Sequence, residues 1–358
     1  MPEFTVEGET NLPGNFYLSF VNDRSIIMLD GKGQIVWSKH ENQSTEGVQT
    51  GWWDFKKIIC EGTTYYSYHD KIGTYDNYGI QGYAPGERVI LDENFNEIAR
   101  IKLTATQTVT DGEPLDGHDF IMLGLNHYIL SSYRKEKVYN NPDYPAGCNV
   151  IYSYLQEVKD GEVIGEWKSI DYPELYSLTQ TDFDANTDAL DYMHFNSMQI
   201  DEKDGNLICS FTNINTIMKI ERTTGEIMWK LLGDSSDFNV TDIQKTSSQQ
   251  YATLTNNNYI TCLDNGNANK ETRIVKYQID ENTKNIQDFY EYNFEHTKFS
   301  TQFGSAQELS DTIWTIGWGA STKDTTCLSV YDVKQGKSLM DVNLENGTKI
   351  THRCVYYK

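Results

Sequence analysis

The chain has 358 residues and a formal net charge of −22. A field of that sign repels polyanions, and the densest basic run, Arg134-Lys135-Glu136-Lys137, includes an acid, which excludes nucleic acid as a partner. No apolar run approaches the roughly 20 residues that span a bilayer, which excludes membrane insertion.

Met1-Pro2-Glu3-Phe4 carries neither a basic n-region nor an apolar h-region, so the expectation is a cytoplasmic protein, or an extracytoplasmic one whose leader has been removed. Aromatic residues are 13% of the chain, with 24 Tyr against 7 Pro, a composition suited to half-buried strands. Period-two runs abound, while apolar residues at helical spacing are nearly absent.

In chain order, the first predicted inner and second strands are Asn15–Phe20 and Ser25–Leu29, followed by a hairpin at Gly33-Gln34-Ile35-Val36-Trp37. Asp54–Ile59 and Tyr65–Tyr68 precede a second hairpin at Asn96-Glu97-Ile98. His118–Leu123 and Asn126–Tyr133 lead to Gly161-Glu162-Val163-Ile164. His194–Ile200, a turn at Asp201–Asn206, and Leu207–Phe211 lead to Gly225-Glu226-Ile227-Met228-Trp229. Gln249–Leu254 and Asn258–Cys262 lead to Lys284-Asn285-Ile286, and Gly304–Leu309 and Asp311–Ile316 to Gly336-Lys337-Ser338-Leu339.

The hairpins are spaced 63, 65, 64, 59 and 52 residues apart. A repeat of several strands at such a period marks a propeller, which grows by adding blades rather than by enlarging one core. The expected fold is all-β, a six-bladed β-propeller spanning residues 1–358 as a single domain. The terminal run Ile350–Tyr357 has no hairpin after it; it either pairs with N-terminal strands and seals the ring or forms the last strand of the sixth blade. Two longer insertions, near 134–149 and 171–192, are expected over one mouth of the channel, where function concentrates.

His118 and His194 open equivalent inner strands and so converge on the axis, where imidazoles can act as acids, bases or nucleophiles. The alternative is that each only hydrogen-bonds neighbouring backbone. Asn196 shares the face of His194 by strand alternation, and an amide beside an imidazole suits an anionic oxygen or the bracing of a loop. Asp182-x-Asp184-x-Asn186-x-Asp188 imitates the start of a calcium loop, but Thr187 and Met193 replace the required Gly and Glu, and a solvated acidic loop is expected instead. No cluster has zinc spacing, and no metal or cofactor is expected. The six cysteines lie far apart in apolar contexts and are expected as buried free thiols. Sequons at Asn42, Asn239 and Asn346 carry little weight.

Asp191-Tyr192-Met193-His194-Phe195-Asn196-Ser197, Asp204–Ser210 and Thr224–Gly233 together resemble the bacterial arylsulfotransferases. Leu115-Asp116-Gly117-His118-Asp119-Phe120 is similar to that family's His-Asp-Phe motif. Leu263-Asp264-Asn265-Gly266 with Thr272–Tyr277 is similar to its Asp-Asn-Gly and Ser-Arg-x-x-x-Tyr segments. The similarity runs from about residue 12 to 357. It implies a six-bladed propeller, transfer of a sulfuryl group from an aryl sulfate to a phenol, and catalytic roles for His118 and His194.

The family's sulfurylated histidine opens the next inner strand, which here reads Ser248-Gln249-Gln250-Tyr251, so Gln249 or Gln250 occupies its place. The family's arginine after Ser210 is replaced too, and Arg353 is the candidate substitute cation. Covalent transfer needs the nucleophile and the cation. The sequence therefore points to altered chemistry on a small aromatic or anionic molecule, built on His118 and His194 with Asn196, Gln249, Gln250 and Arg353 as binding residues. The alternatives are a non-catalytic ligand-binding propeller and a protein-interaction scaffold.

Overall fold

The computed structural model describes residues 1–42, 50–139, 147–181, 189–255, 257–294, 298–322, 324–345 and 350–358. The chain enters through β1 (Phe4–Gly8), β2 (Asn15–Phe20), β3 (Ser25–Leu29) and β4 (Ile35–His40). Next come β5 (Gly51–Cys60), β6 (Thr63–Lys71), β7 (Gly86–Leu91) and β8 (Glu97–Ile101). These are followed by β9 (Phe120–Gly124), β10 (His127–Val138), β11 (Cys148–Lys159), β12 (Glu162–Lys168) and the short β13 (Ala189–Asp191). The second half holds β14 (Phe195–Ile200), β15 (Leu207–Phe211), β16 (Thr216–Ile220), β17 (Ile227–Leu231), β18 (Gln249–Leu254), β19 (Tyr259–Asp264), β20 (Arg273–Asp280) and β21 (Asn285–Asn293). It ends with β22 (Ser305–Glu308), β23 (Ile313–Gly317), β24 (Thr326–Asp332), β25 (Lys337–Leu344) and β26 (Thr351–Tyr357). Apart from three short 3-10 turns the named elements are all strands, and no described helix is long and apolar enough to cross a membrane.

The strands form antiparallel sheets in sequence order: β9 to β12, β14 to β17, β18 to β21, and β22 to β25 with β1 added outside β25. An eight-stranded sheet holds β2 to β8 with β26, its two halves joined only where Phe20 pairs with Trp52. Around the axis, β26, β5, β9, β14, β18 and β22 each contact the next, and β22 contacts β26, so the cycle closes. All these inner strands run in one direction. Their starts define an upper mouth and their ends a lower one.

The six hairpins fall between the strands where the sequence predicts them, each joining the third strand of a set to its fourth. Local chemistry explains the turns. Asp30 Oδ1 accepts from the Lys32 and Gln34 amides, both 2.9 Å, and Gly33 takes φ +75°. Asp92 repeats this with Asn94 and Asn96, both 2.8 Å, but there the left-handed residue is Phe95 at φ +64°. The second hairpin is thus one residue out of the predicted register. Phe95 tolerates the conformation because its ring stacks on Trp37 (4.2 Å) and Tyr66 (4.3 Å).

Two other expectations change. Asn15–Phe20 is not an inner strand: β26 lies inside it, paired from Asn15↔Tyr357 to Phe20↔Thr351, so the terminal run pairs with an N-terminal strand. The described ends of the stretch near 134–149 continue the β10–β11 hairpin, with Arg134 opposite Tyr152 and Val138 opposite Cys148. All six cysteines are buried and none forms a disulfide.

Neighbouring inner strands make no continuous backbone ladder, and side chains bridge them instead. Ser197 Oγ accepts from the Ala252 amide (3.1 Å), and Gln199 both accepts from and donates to Leu254 backbone (2.8 and 3.0 Å). Ser305 and Gln307 do the same for Cys354 and Tyr356. Each bridge satisfies buried backbone groups that a twisted sheet edge leaves open.

Candidate functional site

The upper mouth opens into a cavity of about 630 Å³, whose wall includes His118, His194, Thr212, Asn213, Gln250 and Phe303. The described parts of two connections cover it: Gly79–Gly82 between β6 and β7, and Thr181 with Ala189–Asp191 between β12 and β14. The described end of the second insertion, Ala189–Asp191 with Thr181, therefore borders a mouth. The first cover went unforeseen.

His118 and His194 meet edge to face, with ring centroids 5.0 Å apart. Each is held by a carboxylate close before it in the chain. Asp116 accepts from His118 Nδ1 (2.9 Å) and from its amide (3.0 Å). Asp191 accepts from His194 Nδ1 (2.5 Å) and from its amide (3.2 Å), which secures the left-handed φ of +55° at His194. An ionised carboxylate only accepts, so both Nδ1 atoms carry protons. Neither Nε2 has a hydrogen-bond partner among the described residues, and both rings line the cavity.

Burial works against charge on His194, but the Asp191 carboxylate outweighs it and raises the pKa above the ordinary 6.5. Burial would raise the Asp116 carboxyl, yet the adjoining His118 holds it below its ordinary range. Gly82 crosses directly over His194: at φ +94°, an added Cβ would stand 2.9 Å from Cε1 and 3.0 Å from Nε2. Only a glycine leaves that nitrogen room.

The other sequence-predicted residues are divided. Gln250 reaches the cavity, and its Oε1 accepts from Asn196 Nδ2 (2.5 Å). Asn196 sits behind it, with Oδ1 accepting from the Tyr251 amide (2.8 Å), so both ends of its amide are engaged. Gln249 is wholly buried between sheets, donating to Ser210 Oγ and to the Phe211 and Thr216 carbonyls. Arg353 lies below the cavity at the waist of the channel, against Asp54 (3.2 Å) and Asp119 (3.4 Å), donating to the Asn196 carbonyl (2.6 Å), with Tyr251 under its guanidinium (4.6 Å).

Sequence reasoning missed several groups. His352, on β26, stacks on Trp53 (5.0 Å) and packs 5.7 Å from His118. Its Nδ1 accepts from the Asp54 amide (3.1 Å), so the neutral ring carries its proton on Nε2. Burial, with Arg353 close by, depresses its pKa well below the ordinary value. His69 donates from Nε2 to the Ala84 carbonyl (2.6 Å), and burial lowers it to about 4. Asp116 and Asp191 were readable as Asp-x-His and Asp-x-x-His spacings. His352 could have been flagged as part of a polar triplet in an otherwise apolar terminal strand.

No group of three or more His, Cys, Asp or Glu among the described residues could hold a metal ion. The calcium-like run 182–188 lies outside the described residues. Among curated proteins no sequence matches this chain. Among solved structures, dihydro-heme d1 dehydrogenase NirN, in complex with DHE, is similar at TM-score 0.44 and 11% identity, over 98% of this chain and 77% of that one. The family model described as Arylsulfotransferase (ASST) matches residues 6–358. With that match running from β1 through β26, the chain belongs to the arylsulfotransferase family.

Proposed function

We propose that the chain is a six-bladed propeller whose upper mouth binds a small anionic aromatic molecule and acts on it through His118 and His194. The closed cycle of inner strands supports the blade count. One observation carries the chemistry: two carboxylate-held imidazoles, 5.0 Å apart, with both Nε2 atoms free in one cavity. His118 Nε2 carries a lone pair able to take the proton of an acceptor hydroxyl, with Asp116 stabilising the imidazolium that results. His194 keeps its second proton to higher pH than a free imidazole, so it can return a proton to a leaving phenolate oxygen. The acceptor oxygen forms its bond to sulfur as the bond from sulfur to the phenol oxygen breaks, so the sulfuryl group passes directly between them. One proton is taken up by His118 and one returned by His194, with no covalent histidine needed where Gln250 stands.

Mixing the protein with 4-nitrophenyl sulfate and phenol tests this by release of nitrophenolate. Turnover is expected, falling by about 10²–10⁴-fold in His118→Ala and in His194→Ala. A second reading, binding without turnover, rests on the neutral amide of Gln250 in the cavity wall. It predicts thermal stabilisation by 4-nitrophenyl sulfate and no nitrophenolate. Neither turnover nor stabilisation leaves a scaffold role.

A further inference from the structure

The opposite end of the channel is also built. Below the waist, the ends of the inner strands enclose a cavity of about 460 Å³ lined by Lys56, Phe120, Met122, Met198, Tyr251 and Tyr357. Phe120, Met122 and Met198 give it an apolar wall, and Lys56 places an ammonium at its inner end.

The charges around that ammonium do not cancel. Lys56 Nζ lies 2.8 Å from Asp54 and 2.7 Å from Asp119. Arg88 also binds Asp54, and Arg353 reaches both carboxylates. Three cations thus share two carboxylates in a buried cluster: Arg88 is 1% exposed and Arg353 3%. The flanking imidazoles, His69 and His352, are held neutral, so they add no charge. Within this ion-paired cluster the cations outnumber the carboxylates by one, inside a chain whose net charge is −22. The further buried carboxylate Asp116, which acts on His69, is paired with His118 and contacts none of the three cations.

An unbalanced buried charge is costly, and an anion beside it removes the cost. Of the three cations Lys56 is the reachable one, with a side chain 14% exposed and a wall position in the lower cavity. Asp119 also faces that cavity, but its oxygens are taken up by Lys56, Arg353 and the Phe120 and Met198 amides. Glu308 on the same wall is paired with Lys276 (2.6 Å), and Lys57 with the Lys358 carbonyl (2.7 Å). The hydroxyls of Tyr251 and Tyr357 make no hydrogen bond to any described residue. Burial raises both phenol pKa values, so they remain donors at neutral pH.

We propose that the lower mouth is a second ligand site, selective for a small monocarboxylate with an apolar body. Its carboxylate takes the free N–H of Lys56 and the tyrosine hydroxyls, while its body lies against Phe120, Met122 and Met198. A single negative charge matches the single surplus, and a dianion would overshoot it beside Asp119. This site does not depend on the chemistry assigned to the upper mouth.

The test uses the full chain with ¹³C-methyl methionine, Met122 and Met198 being assigned by leucine substitution, and titrates hexanoate, hexan-1-ol and hexylamine. Hexanoate is expected to move both methyl signals saturably. Hexan-1-ol should bind at least about tenfold more weakly and hexylamine not measurably, because only the acid supplies a charge-assisted bond. Lys56→Met removes the ammonium that joins Asp54 to Asp119 and so alters the buried cluster together with the site, which leaves Tyr251→Phe and Tyr357→Phe to carry the test. Each removes a hydroxyl the protein itself does not use, and each should weaken hexanoate about three- to tenfold without altering the melting temperature. His194→Ala should leave hexanoate affinity unchanged. The proposal is overturned by no saturable shift, by equal affinity for the alcohol or amine, by tyrosine variants that bind as well as the parent, or by binding lost in His194→Ala.

Discussion

At the upper mouth each reactive imidazole arrives with its own carboxylate from the same short stretch of chain, Asp116 for His118 and Asp191 for His194. At the lower mouth one lysine is shared between two aspartates from different strands, and those aspartates are shared again with two arginines. The upper pairs are local and close to neutral, so a proton can come and go at modest cost. The lower cluster is non-local and gathers three cations on two carboxylates, which suits it to attracting an ion. Under the two proposals, one channel has a proton-handling end and an ion-holding end, separated by the waist.

The largest expected effect comes from breaking that separation. Asp54→Ala leaves Lys56, Arg88 and Arg353 with a single carboxylate, and should cost about 3–5 kcal/mol in urea unfolding. Burial alone would raise the Asp54 pKa, but Lys56, Arg88 and Arg353 bring it down from 3.8 to about 2. A depressed carboxyl stabilises the fold above its unfolded pKa, and that share disappears as pH falls from about 4 through 2. Parent and variant should therefore converge in stability towards pH 2. A loss below about 1 kcal/mol at pH 7 would mean the cluster does not hold the two ends apart.

Asp191→Asn should act on the upper end alone, costing about 1–3 kcal/mol. Its distinguishing mark is the His194 titration followed by imidazole NMR, which should move to lower pH. Because the folded pKa of His194 is raised, its contribution to stability is full below the unfolded value near 6.5 and lost as pH rises through the folded value. The gap between parent and variant should therefore be widest on the acid side. An unmoved titration would sever His194 from Asp191.

The smallest effect is expected at the cover. Gly82→Ala should destabilise by about 1 kcal/mol, since φ is +94° there. It should also slow modification of His194 by diethyl pyrocarbonate while leaving hexanoate binding below unchanged. Equal reactivity in parent and variant would show that Gly82 does not govern access to Nε2.

What could be read from the sequence follows the same line between local and non-local. The hairpins were legible because Asx and glycine turns are written in four or five consecutive residues, and the one slip, at Phe95, hides behind an aromatic in a left-handed conformation that only its stacking neighbours permit. His118 and His194 were legible because equivalent places in a repeat face the same axis. Asn196 and Gln249 were legible as polar but not as bridges, since their partners lie on the next sheet along. The Lys56 cluster was illegible, and His352 readable only as one of a polar triplet, because their partners come together only where β26 meets β5 and β9. Placing Asn15–Phe20 as an inner strand was the same error seen from the other side.

The position of β26 also sets an order of events. It follows all the other strands in sequence, pairs with β2, and brings His352 and Arg353 to the axis. Apart from the pairing of β1 with β25, the sheets before it can each form from contacts near in sequence. The waist cannot, because Asp54 and Arg353 are separated by 299 positions. Closing so long a loop is slow and comes late. An unclosed ring would therefore carry well-formed blades with neither mouth complete, so that becoming competent to bind and becoming topologically closed are one kinetic step.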